Sequence, residues 1–299
     1  MRALKVIVLY LAVVVLLGAL LSPWSFWLVQ WLANHHWYPE SLAAPMFRRV
    51  HDRTVLVVAA LALWPLLRGL GIRTWREVGF IRTGGWWRPA LWGVALGLAS
   101  FATVGALLLV LGTRRLDPHY ATVTKYLFKF VLTGIVVALI EETLFRGGLL
   151  SALRRSGNDW LAIIVTSALF SIVHFLKPDE VKVPDAAVTW LSGFWYSREV
   201  LAQAFHSPGE VLGFVTLFLA GSVLAVARVR TGALYLALGL HAGWVFTEKT
   251  FSRMTEWTTY RPWWGGGELV NNALVWPLLV GVLLVVIWLS RTKLQPPPD

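Results

Sequence analysis

Long apolar runs separated by short polar or basic connections recur from one end of this chain to the other. A helix that crosses a bilayer needs about 20 consecutive, mostly apolar residues. The runs at 4–22, 54–70, 89–112, 128–152, 160–177, 210–229, 231–249 and 272–290 each approach that length. The pattern predicts an all-α, polytopic integral membrane protein with about eight transmembrane helices. No stretch is long enough for a separate soluble domain, so residues 1–299 are expected to form a single membrane domain.

Residues 1–22 begin with Arg2 and Lys5 and continue through an apolar stretch, as in a signal peptide, but the SPWSFW after it offers no small-x-small cleavage site. It is read as a retained first span. The connection that follows is rich in Trp, Tyr and His and is expected to lie in the headgroup zone, where amphipathic rings collect. The connection 178–209 is similar: Trp190, Phe194, Trp195, Leu201 and Phe205 would form an interfacial face.

Composition narrows the class of partner. The chain is 57% hydrophobic with a formal net charge of +11, and its mean hydropathy is +0.63. Its Lys and Arg residues are scattered between spans rather than gathered in a stripe, so the expected counter-charge is the anionic lipid surface and not nucleic acid. The absence of Cys removes disulfides, thiolate metal sites and cysteine nucleophiles. Short loops carrying Arg68, Arg73, Arg76, Arg82 and Arg88, then Arg154 and Arg155, then Arg228 and Arg230, place both termini on the cytoplasmic side.

Against this background five ionisable residues inside the predicted spans stand out: Glu141, Glu142, Arg146, His174 and His241. A charge at membrane depth is costly and normally faces a protein interior or a wet cavity with a partner. Glu142 and Arg146 are four apart and share a helix face. Glu141 lies about 100° around the helix and is free to face something else. Phe170 precedes His174 by one turn and can wall one side of its imidazole, and small residues beside His241 would admit a close helix. At about 1.5 Å per residue, Glu141, His174 and His241 stand roughly 14 to 21 Å above the cytoplasmic ends of their spans. A single intramembrane site is therefore geometrically open. HExxH and GxGD are absent, and no serine has a convincing nucleophile setting. One carboxylate and two imidazoles could activate a water and stabilise an oxyanion.

These residues resemble the motifs of the CPBP, or Abi, family of intramembrane proteases, which includes the type II CAAX prenyl endopeptidases. Glu141, Glu142 and Arg146 match EExxxR, and Phe170 and His174 match FxxxH. The third motif is a histidine followed four residues later by asparagine; His241 matches it, but Val245 takes the asparagine position. The resemblance covers 128–247, the expected catalytic core. It implies an endopeptidase of a bacterial inner membrane, hydrolysing a peptide bond of a membrane protein or lipidated peptide. Glu141 and His174 would activate water, Glu142, Arg146 and Phe170 would support the site, and His241 would help hold the oxyanion, with Trp244 and Val245 in the oxyanion-hole region. No cofactor is expected. Glu141, His174 and His241 could supply three ligands to Zn²⁺, but the glutamic reading is preferred because the spacing does not demand a metal. Two other functions stay open: a non-cutting binding or immunity protein, favoured by Val245, and a proton-coupled transporter, which would be expected to show duplicated halves or paired broken helices.

Overall fold

The computed structural model describes residues 2–37, 46–81, 84–155, 157–174, 187–203, 208–259, 263 and 269–292, and it is 83% helical. In chain order the α-helices are α1 (Arg2–Asn34), α2 (Phe47–Gly69), α3 (Trp75–Val78), α4 (Trp87–Val110), α5 (Leu127–Glu142), α6 (Ser151–Arg154), α7 (Asp159–His174), α8 (Ser192–Gln203), α9 (Pro208–Thr231), α10 (Tyr235–Met254) and α11 (Val275–Thr292). Strands β1 (Arg114–Leu116) and β2 (Thr255–Trp257) pair antiparallel. Among the described residues, five helical segments are long and apolar enough to cross a membrane: Lys5–Asn34, Phe47–Gly69, Trp87–Val110, Tyr120–Arg154 and Val211–Thr231. Asp159–His174 and Val275–Arg291 are apolar but shorter. α10 carries Glu248, Lys249 and Arg253 in its last two turns and is not among the five.

The chain divides into two compact units. The first comprises Met1–Gly71 and Phe175–Ala204. Its helix α1 runs through Pro23 to Asn34, so the segment expected to leave the span after residue 22 continues as helix instead. Proline removes the hydrogen bond to the carbonyl four residues earlier, here that of Ala19. Gly193 of α8 backs against this freed oxygen, where a Cβ would lie 1.9 Å away. A membrane helix tolerates such a break where a neighbour covers it. Phe26, Phe47, Val50, Tyr196 and Val200 form this unit's core. Of the residues expected to form an interfacial face, Trp190, Trp195 and Leu201 are exposed and Phe194 is half-buried. Phe205 of that set lies outside the described residues, as does Arg82 of the charge pattern.

The second unit, Ile72–His174 with Phe205–Asp299, holds all five ionisable residues singled out in the predicted spans. Its core gathers Phe101, Leu150, Ile163, Leu224, Leu240, Trp244 and Val286 from successive helices. α4 and α10 meet backbone to backbone: a Cβ on Gly93 would lie 2.4 Å from the Leu236 carbonyl oxygen, and one on Gly239 2.0 Å from that of Ala90. Gly97 and Gly243 continue the contact one turn further along each helix, the small-xxx-small geometry by which membrane helices gain packing energy. The paired strands join the far ends of the same two helices, with the Arg114 guanidinium 3.9 Å from the centre of the Trp257 ring. α10 is thereby held at both ends, and with it His241. α5 instead leaves Phe128, Leu132, Ile135 and Leu139 exposed, an apolar face suited to lipid.

Candidate active site

α5 ends on the two carboxylates, and the helix then widens into a π-helical stretch, Thr143–Leu150, that carries Arg146. Such widened turns are rare and gather at functional sites. Arg146 Nη1 donates to Glu142 Oε1 at 2.9 Å, and Nη2 donates to the Gly221 carbonyl at 3.1 Å. The guanidinium carbon lies 4.4 Å from the centre of the Phe170 ring. Glu142 and Arg146 are 0% and 1% exposed. A buried pair of this kind is tolerated only when each ion has further polar partners. For Glu142 that partner is His241, whose Nδ1 lies 2.9 Å from the same carboxylate oxygen.

Glu141 faces elsewhere. Its Oε2 lies 3.4 Å from His174 Nε2 and 3.7 Å from His241 Nε2. Glu141 and His174 retain 18% and 26% side-chain exposure, against 7% for His241. The cluster therefore has a sealed end, built from Glu142, Arg146 and His241, and a more open end at Glu141 and His174. Phe170 sits among three of these groups, with ring centres 4.4 Å from His174 and 5.9 Å from His241. The sequence placed it against His174 alone.

The second ring nitrogens fix the tautomers. His174 Nδ1 lies 2.8 Å from the Phe170 carbonyl oxygen, which only accepts, so this nitrogen carries the proton. His241 Nδ1 likewise donates to Glu142. In the neutral rings both Nε2 atoms are then acceptors, and they converge on a third acceptor, Glu141 Oε2. Three lone pairs so arranged can share a cation or a hydrogen between them. A water molecule can supply one, and its oxygen is then held beside a base.

Beyond His241 the neighbouring donors are already engaged. Trp244 Nε1 donates to Ser100 Oγ of α4 at 2.9 Å, and its ring stacks on Phe101. Thr247 Oγ1 donates to the Gly243 carbonyl. Val245 is half-buried one turn after His241 and offers no side-chain donor. Ser100 and the Gly221 carbonyl were missed in the sequence, because a serine and a glycine carbonyl inside apolar runs carry no local mark of a polar partner.

The apolar helices define an integral membrane protein, and within its fold lies this buried carboxylate–imidazole cluster. Residues 123–247 match the family model described as type II CAAX prenyl endopeptidase Rce1-like, and so show over that segment the resemblance carried by the three motifs. No curated protein and no solved structure matches the chain. Over that segment, less than half of the chain, the match is a likeness to proteases of the CAAX type. Among the described residues no group of three or more His, Asp or Glu side chains is spaced to hold a metal ion.

Proposed function

We propose that this chain is an intramembrane endopeptidase of the glutamic type, spanning the membrane about eight times with both termini in the cytoplasm. Its substrate is a membrane protein or lipidated peptide. The observation that carries the reading is the convergence of Glu141 Oε2, His174 Nε2 and His241 Nε2, with both imidazole tautomers held from behind. Glu141, helped by His174, takes a proton from the bound water as its oxygen bonds to the scissile carbonyl carbon. The oxyanion that forms faces His241, to whose Nε2 Glu141 passes that same proton across the 3.7 Å between them, so that this nitrogen becomes a donor. Glu142 stabilises that charged ring as a carboxylate behind an imidazole does in a catalytic triad. The proton then passes to the amide nitrogen as the C–N bond breaks.

The test is hydrolysis of membrane peptides by the purified protein and its Glu141→Gln variant. The amide keeps the side chain's shape but removes the base, so cleavage should vanish while the thermal transition stays within a few degrees. Full activity in the Gln variant would sink the assignment. Activity that survives exhaustive chelation separates the glutamic mechanism from a zinc one. The engagement of Trp244 and Thr247 beside Val245 favours a second reading, a non-cutting member acting by binding. Wild-type protein that binds candidate peptides and cleaves none would establish it.

A further inference from the structure

The short helix α3 plays no part in the chemistry above, yet it reaches the widened turn of the site. Val78, 1% exposed, rests on Gly147, the residue after Arg146: a Cβ on Gly147 would lie 2.5 Å from Val78 Cγ1. A π-helical turn is less well bonded than an α-turn and persists where its surroundings hold it. Glycine at 147 lets a foreign side chain enter the widened turn, and Val78 is that side chain. The helix behind it is closed at its start by a capping box, in which Thr74 Oγ1 accepts from the Glu77 N–H and the Glu77 carboxylate accepts from the Thr74 N–H. At its end Gly79 adopts φ +114°, a conformation that side-chain-bearing residues rarely adopt.

The same helix is tied to two others. Arg228 of α9, itself buried, donates through Nη2 to the Glu77 carbonyl at 3.4 Å and through Nη1 to the Gly232 carbonyl. A Cβ at Gly79 would collide with the Arg228 guanidinium at 2.8 Å. The Leu234 N–H donates to the Gly79 carbonyl at 3.0 Å, and Phe80 meets Tyr235 edge to face. Tyr235 opens α10, which carries His241 less than two turns later. The four-residue helix and the two residues after it therefore touch both the turn that holds Arg146 and the start of the helix that holds His241.

We propose that α3 is a positioning element: Val78, locked by Arg228 and Gly79, braces the widened turn at Gly147 and so sets the Glu142–Arg146–His241 arrangement. This rests on the hydrolase reading for its kinetic consequence only. The packing consequence is independent of it.

The test is a size exchange. Gly147→Ala should drive Val78 and the turn apart, and since displacement of a catalytic group by about 1 Å costs up to 10²-fold, kcat should fall by about 10- to 100-fold with KM nearly unchanged. Val78→Ala in the Gly147→Ala background removes the colliding methyl and should restore most of that loss. Side-chain ¹⁵N spectra of histidine-labelled protein, with His241 assigned by subtraction of a His241→Gln sample, give a readout that needs no turnover. The His241 nitrogens should shift in Gly147→Ala and return in the double variant. A folded Gly147→Ala protein with wild-type His241 shifts overturns the proposal, as does a double variant that folds yet regains neither shifts nor rate. If wild-type protein cleaves nothing, the spectra alone decide it. If Gly147→Ala does not fold, Arg228→Gln takes its place: His241 shifts that move there and are rescued by Arg228→Lys support the brace, and unmoved shifts reject it.

Discussion

Glu142 and Arg146 form the most deeply buried ion pair of the site, at 2.9 Å and with side-chain exposures of 0% and 1%. Replacing either by leucine strands its partner, and an uncompensated buried charge costs about 3 to 5 kcal/mol. The two losses should not be equal. Without Arg146, Glu142 keeps the His241 Nδ1–H at 2.9 Å, whereas without Glu142 the guanidinium keeps the neutral Gly221 carbonyl at 3.1 Å and the face of Phe170. Glu142→Leu should therefore be the costlier change. At about 2 to 4 °C per kcal/mol for a large domain, each single variant should melt about 6 to 20 °C lower in detergent. The double variant buries no stranded charge and should recover a large part of the loss. The 18 Trp residues give a strong intrinsic fluorescence signal for the melting curves. Single losses that add in the double variant to within about 0.5 kcal/mol would show that the two side chains do not depend on one another, and the electrostatic argument would fail.

Three further outcomes are expected. Because Trp244 and Thr247 already spend their donors within the protein, Val245→Asn should raise the hydrolysis rate, by up to roughly 100-fold if the amide reaches the oxyanion; slower turnover with asparagine but not with alanine would reject the missing-donor idea. Gly239→Ala sets a methyl against the Ala90 carbonyl, which cannot move aside, and should cost about 1 to 3 kcal/mol or more. Gly281→Ala in α11, with nothing within 4 Å, should leave the melting temperature unchanged, and equal melting of the two variants would contradict the close α4–α10 contact. The Glu77 carboxylate, outside the spans, is held below the ordinary carboxylate value by the backbone N–H groups of Arg73 and Thr74. Its stabilising contribution is present above that ordinary value and is lost as pH falls through the depressed one, so wild-type and Glu77→Gln melting curves should differ at neutral pH and converge in acid.

The amino-acid sequence by itself determined where the main helices lie and which residues are too polar for them. Hydrophobic run length is a local property, and a bilayer punishes every unsatisfied backbone group, so the helical class needed no tertiary information. The angular split of the Glu141–Glu142 doublet and the i,i+4 reach of Glu142 to Arg146 were legible for the same reason. The small residues beside His241 announced a close helix, although not that the helix would be α4. Only the tertiary structure decided the partners: Glu142 and His241 meet at 2.9 Å across 99 positions of chain, and Trp244 finds Ser100 across 144. Such pairings depend on how whole helices pack, and no local pattern carries them. The passage of α1 through Pro23 and the widening of the helix at Thr143–Leu150 are also tertiary decisions. Intrinsic propensity disfavours both, and each persists where a neighbour, Gly193 in one case and Val78 in the other, closes against it.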